Sequence, residues 1–312
     1  ANFIQGTTSD DLVASAMNWN TGLVWRQCSV ESTGEICDRN DTVNLWIDWN
    51  NRYAPLVYSG TPATVTTNRL ASGAWRLPYV NELLGLMSGC SSSSPGSDLL
   101  INKTVFPRST DYGWSASRSM ADDREAWGVN FGLGRSYSYN KAFAAQVRLV
   151  RSGQSFSSFS SSDNQSQSAA AASQATFPQT SLKAPVGTTA WGGARISGDG
   201  SPEFQVNGRG AWVTQAIVQS TDRLSVRMTA AGNKGNTGTA RLTLRSGQTM
   251  GETTDTRTWG NGATTMSETI ATFKLTSTGV TQNIPNPSAS PALPVYAPNG
   301  TFIVSATACA SN

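Results

Sequence analysis

The chain has 312 residues, only 14% of them charged, with 29 glycines and 13 prolines. An ordinary soluble protein is about a quarter charged, so this composition predicts a mainly β fold with a little α and a polar, largely uncharged surface. Histidine is absent, which removes the commonest general base and zinc ligand, and with them Ser-His-Asp and Cys-His catalysis. The expectation is a protein that is not an enzyme and needs no cofactor. The net charge of +3 is unevenly placed, all of it beyond Arg151, but it contains no basic run, so nucleic acid is not an expected partner.

In chain order, the first predicted element is a helix over Asp11–Met17, capped by Ser9 or Asp10, and the second is a helix over Val80–Met87 behind Pro78. The remainder of residues 1–151 reads as short strands and turns. Seven of the ten tryptophans fall there, Trp19, Trp25, Trp46, Trp49, Trp75, Trp114 and Trp127, and are expected to hold an irregular core. A shift to Ser, Gln and Ala at 152–174 has the composition of a linker, interrupted by Phe156 and Phe159. A polar tract of this kind is expected to lean on a neighbouring surface, which an oligomer or filament would supply. Beyond it the period becomes two. Leu224, Val226 and Met228, then Ala240, Leu242 and Leu244, then Ala271, Phe273 and Leu275, then Phe302, Val304 and Ala306 alternate with polar residues, the pattern of half-buried strands in a β-sandwich. Turns are expected at Gly198-Asp199-Gly200 and Gly232-Asn233, and a proline-rich crossover from Pro285 to Pro298. The resulting division is an N-terminal segment 1–17, a domain 18–151, a linker 152–187 and a second domain 188–312.

Four cysteines, Cys28, Cys37, Cys90 and Cys309, contain no C-x-x-C pair and suit disulfides in an exported protein. A local Cys28–Cys37 loop with Cys90 paired to Cys309 or free is one arrangement among three. No apolar run approaches the roughly 20 residues of a membrane span. No signal peptide is visible, and a start at Ala1 reads as the mature form of a secreted protein.

A series of landmarks in the first domain runs Asn20-Thr21-Gly22-Leu23-Val24-Trp25, Trp75-Arg76-Leu77-Pro78 into Asn81-Glu82-Leu83, Phe106-Pro107, Gly113-Trp114-Ser115-Ala116-Ser117, Ala126-Trp127-Gly128-Val129-Asn130-Phe131 and Val147-Arg148-Leu149-Val150-Arg151. It resembles the domain at the C-terminus of a Legionella collagen-like adhesin, grouped with C-type-lectin-like and formylglycine-generating-enzyme-like folds. The resemblance implies a C-type-lectin-like α+β domain over about residues 18–151. It carries no catalysis across, because no paired catalytic-cysteine arrangement is present. In the second domain, Glu203–Gly208, Leu224–Thr229 and Ala240–Leu244 resemble Ig-like modules of bacterial surface proteins, which implies an Ig-like β-sandwich used as a spacer; the insertion Gly247–Met266 departs from that pattern and reads as a hairpin or an assembly contact.

The landmarks themselves read as scaffold, so contacts with a ligand are expected between them. The span from Arg118 to Tyr139 is the candidate. Arg118, Asp122, Asp123, Arg124, Glu125, Arg135, Tyr137 and Tyr139 combine guanidinium groups, carboxylates and phenols that suit a glycan or a protein surface. Asp122, Asp123 and Glu125 are also candidate calcium ligands. The leading functional expectation is an extracellular or cell-surface adhesion or recognition protein. The alternatives are a structural subunit of a filament or pilus-like appendage, and a phage receptor-binding protein.

Overall fold

The structure, a computed structural model, describes residues 2–8, 13–28, 44–45, 56–59, 64–68, 73–88, 99–119, 121–151, 155–159, 164–249 and 264–279. All belong to the compact unit Ala1–Gly279, and the unit Val280–Asn312 lies outside them. The expected strand at Phe302–Ala306, the Pro285–Pro298 crossover, the proposed cap at Ser9 or Asp10 and Cys37, Cys90 and Cys309 therefore lie outside the described residues.

The first half contains β1 (Phe3–Thr7), β2 (Ala14–Asn18), β3 (Val24–Arg26), β4 (Asn44–Leu45), β5 (Leu56–Ser59), β6 (Thr64–Asn68), helix α1 (Val80–Leu84), β7 (Tyr112–Arg118), β8 (Glu125–Asn130), β9 (Arg135–Asn140), β10 (Ala144–Ala145) and β11 (Val150–Arg151). The second half contains β12 (Ser158–Phe159), β13 (Asn164–Ala169), β14 (Gln174–Thr176), β15 (Thr180–Lys183), β16 (Trp191–Gly198), β17 (Glu203–Val206), β18 (Arg209–Val213), β19 (Gln215–Gln219), β20 (Arg223–Thr229), β21 (Thr237–Thr249) and β22 (Thr264–Ser277). The protein is mainly β, as its composition predicts.

The expected first helix is a strand. Residues 15–18 are buried, and β2 is held between β1 and β3, with Ile4 opposite Met17 and Ala16 opposite Trp25. An Ala/Met-rich stretch favours helix locally, but pairing on both edges overrides that preference. The second helix forms where Pro78 predicts it and stops sooner, at Leu84. Met87 instead makes a bridge to Ile101.

β1, β2, β3 and β11 form one antiparallel sheet, and β7, β8 and β9 form a separate meander. Helix α1 packs against the meander, Val80 and Leu83 sharing a core with Trp25, Val129 and Phe131.

Two sheets build the second half, one ordered β12-β15-β20-β17-β18 with β14 also on β20, the other β13-β22-β21-β16-β19. Their shared core takes Phe204, Leu224, Val226 and Met228 from one sheet and Leu242, Leu244, Phe273 and Leu275 from the other. The period-two pattern is thus realised as strands at all three predicted stretches among the described residues. β21 and β22 pair from Thr237↔Thr276 to Thr249↔Thr264, so both arms of the expected Gly247–Met266 hairpin are in register.

The Ser/Gln/Ala stretch expected as a linker supplies β12 to β15. β13 runs parallel to β22, with Asn164 opposite Thr272, while β14 and β15 pair with β20. Phe156, Phe159, Phe177 and Leu182 are buried in the common core. Backbone hydrogen bonds are indifferent to side-chain polarity, and these four apolar anchors seat a chain whose other residues are mostly exposed or half-buried.

The two halves meet over a buried contact. Ile4, Met17, Trp19 and Val24 pack with Trp191 and Ile217. At Gly193 a Cβ would lie 2.9 Å from the Met17 sulfur, so the absent side chain admits the methionine. The guanidinium of Arg151, at the end of the first half, lies 4.2 Å from the Trp75 ring centroid and 4.4 Å from that of Trp191. The Gly247 amide donates to the Gly22 carbonyl at 3.0 Å, and Thr249 joins the buried Arg76–Glu82 pair, donating to Glu82 Oε1 at 2.8 Å and accepting from Arg76 at 3.2 Å.

Candidate functional site

The meander places the expected contact residues in three groups. In the β7–β8 pairing, Trp114 lies opposite Gly128 but Arg118 lies opposite Ala126. The extra residues on β7 form a bulge, a device that re-aims a strand end. It leaves Arg118 exposed where the chain turns toward Asp122. In that turn the Arg124 guanidinium grips Asp122, Nη2 to Oδ2 at 2.9 Å, and the Arg124 amide donates to Asp122 Oδ1 at 2.8 Å. The hydrogen bonds from Arg124 hold the Asp122 carboxyl below its usual range. Lys141 donates its ammonium to the Asp123 carbonyl. Partial burial and the Arg118 charge push Lys141 down, against the opposing pull of Asp123 and Asp122. Arg118, Asp122, Asp123, Arg124 and Lys141 therefore form one charged end of the meander.

Glu125 lies beside this end on β8 but is committed to its neighbour strand, accepting from Ser138 Oγ at 2.6 Å. Asp122 is held by Arg124 and Glu125 by Ser138, and among the described residues no group of three or more His, Cys, Asp or Glu side chains is placed to hold a metal.

Tyr137 and Tyr139 alternate along β9 and share a face with Tyr112 and Trp114, because Gly128 pairs with both Trp114 and Tyr137. Tyr139 stacks on Phe143 at 5.2 Å, meets Tyr112 edge-on at 5.5 Å and lies 5.9 Å from Tyr137. Burial, reinforced by Tyr112 and Tyr137, pushes the Tyr139 phenol up to about 12. Phe143 is 38% exposed, so the aromatic group reaches the surface. Arg135 pairs with Asn130, whereas Asn140 pairs with Glu125; Arg135 thus stands at the opposite end of β9 from the charged turn, and the structure does not bring it into that group.

Tyr112, Trp114, Lys141 and Phe143 were absent from the expected set. Their signal lay in strand alternation, since Tyr112 and Trp114 share the period of Tyr137 and Tyr139. Cys28 is buried and disulfide-bonded.

These observations define a β-rich protein in which a module carrying a charged and aromatic meander is packed against a two-sheet module. Residues 16–151 match the family model of the Lcl C-terminal domain, a family associated with bacterial surface proteins. The matched range runs from within β2 to the end of β11 and contains every expected contact residue. No curated protein and no solved structure matches the chain. Among the described residues no helix is long and apolar enough to cross a membrane.

Proposed function

We propose that the chain is a non-enzymatic extracellular recognition protein of the adhesin kind, and that the exposed side of β9 with the adjoining turn is the surface that meets a glycan. The match of residues 16–151 to the Lcl C-terminal domain carries the reading. The geometry supports it. Phe143, Tyr139 and Tyr137 offer apolar ring surface beside Arg118, Arg124 and Lys141, whose donors suit hydroxyl and acidic groups. In this reading the second half is an Ig-like module that stiffens the first, and Cys28 with Cys37 closes a loop of an exported protein.

The test is a glycan-array screen of the full chain followed by titration of the best binder. Tyr137→Ala and Phe143→Ala should each weaken binding by about tenfold, the scale of one lost aromatic contact. Wild-type affinity in both variants would remove the site from this surface.

A second reading, a subunit of an extracellular filament, draws on β13. Among the described residues it ends its sheet, paired with β22, and sheet edges are where strand addition by another copy takes place. The internal strand pairing of residues 158–183 already accounts for the seating of that stretch, so assembly is not required to explain it. Electron microscopy of the protein from its native source tests this reading: filaments support it and isolated monomers overturn it.

A further inference from the structure

Where Trp19 meets the outer face of the sheet carrying β16, β21 and β22, the surface opens into a groove of about 420 Å³ lined by Trp19, Arg195, Gln215, Thr243, Arg245 and Glu268. A groove of this volume is in the range that takes a small ligand. Apart from Trp19, these residues lie outside the matched range 16–151, and the groove is separate from the meander.

Two like charges converge on one indole. The Arg195 and Arg245 guanidinium carbons lie 4.4 Å and 4.8 Å from the Trp19 ring centroid. Arg195 Nη2 donates to Asn2 Oδ1 at 2.7 Å. Arg245 donates through Nε to Glu268 Oε2 at 2.6 Å and through Nη1 to the Trp19 carbonyl at 3.3 Å. That leaves Arg195 Nη1 and Arg245 Nη2 without a protein acceptor among the described residues, and Arg195 Nε buried without one. Glu268 balances one of the two cations. Among the described residues the second has no carboxylate partner, and burial together with the Arg245 charge pushes Arg195 below the usual arginine range. Buried or half-buried donors without acceptors are costly, and guanidinium pairs with planar carboxylate in a matched geometry. The hydroxyl of Thr243 and the amide of Gln215 lie on the same wall and suit a polyhydroxylated body.

We propose that this groove binds a sugar acid, with one carboxylate oxygen taken by each guanidinium and the sugar hydroxyls by Thr243, Gln215 and Glu268. The Trp19 indole sets the spacing of the two arginines and is itself covered by them, so it positions the charges and does not stack on the sugar.

The experiment is ligand-observed saturation-transfer NMR on the full chain with glucuronate, glucose, glucose 6-sulfate and N-acetylglutamate. Saturable binding of glucuronate, with glucose at least about tenfold weaker, is the expected result. Arg195→Gln should reduce glucuronate binding by a similar factor while a thermal melt shows the chain folded, and Thr243→Val provides a milder variant that leaves every charge in place. Tyr137→Ala should leave glucuronate binding unchanged, which separates this groove from the meander. Equal binding of the sulfate or of N-acetylglutamate would overturn the assignment to a sugar acid. Unchanged glucuronate binding in both Arg195→Gln and Thr243→Val would overturn the site.

Discussion

The Arg76 guanidinium holds both oxygens of the Glu82 carboxylate, Nη1 to Oε2 at 2.8 Å and Nη2 to Oε1 at 2.7 Å, with both side chains fully withdrawn from solvent. Arg76 comes from the segment before the helix and Glu82 from the helix itself, where it also accepts the Tyr79 amide at 2.8 Å. Because Thr249 of the second half completes the same network, the pair fastens the helix start and the junction of the two halves at once.

Glu82→Gln should therefore destabilise the chain by about 3–5 kcal/mol, the cost of leaving a buried charge without its partner. Urea unfolding checks this. A double variant with apolar residues at positions 76 and 82 should recover much of the loss.

The same pair sets an acid limit. Burial alone would raise the Glu82 carboxyl, but the Arg76 charge and hydrogen bonds, with those from Tyr79 and Thr249, hold it below its ordinary value of 4.5. A carboxyl depressed on folding stabilises fully above its unfolded pKa, and that stability is lost as pH falls through the lower folded value. Melting temperature should drop below about pH 4.5 in the parent, with a shallower acid slope in Glu82→Gln.

Arg151→Ala should separate Trp75 from Trp191 and cost about 2 kcal/mol, the scale of a desolvated cation–π contact. Arg151→Lys should recover only part of it, since a compact ammonium cannot lie flat between two rings. Tryptophan fluorescence during denaturation reports both. The parent should unfold in a single transition.

Gly22 has φ +75°, and a Cβ there would lie 2.1 Å from the Ser246 carbonyl carbon. Gly22→Ala is expected to cost about 1–3 kcal/mol through strain and a forced opening of the junction, and calorimetry measures it. A lesser effect than Ala at exposed Gly208, where nothing lies within 4 Å, would contradict the contact.

At alkaline pH the Tyr139 phenol, pushed up to about 12 from an ordinary 10.0, keeps its proton in the folded chain after the unfolded chain has lost it. Stability should accordingly fall as pH rises from about 10 to 12. Phenolate absorbance should show a late-titrating tyrosine that Tyr139→Phe abolishes.

The β character, the strands around Leu224, Leu242 and Phe273 and the helix behind Pro78 were all legible in the sequence, because alternation and a helix-start proline act over a few residues. So was the matched domain, whose landmarks recur in order from Gly22 to Arg151. The charged turn was legible as composition, though not its internal pairing: Asp122 is spent on Arg124 and Glu125 on Ser138, and neither bond follows from residue type.

What only the tertiary structure decided is what long-range pairing controls. Residues 14–18 became a strand because β1 and β3 flank them, and the Ser/Gln/Ala stretch became four strands because β20 and β22 offered open edges and the core offered room for Phe156, Phe159 and Phe177. Local propensity carries no record of such edges. The groove over Trp19 was equally invisible, since Arg195, Arg245 and Glu268 are distant in sequence from Trp19 and meet it only when the two halves close on each other.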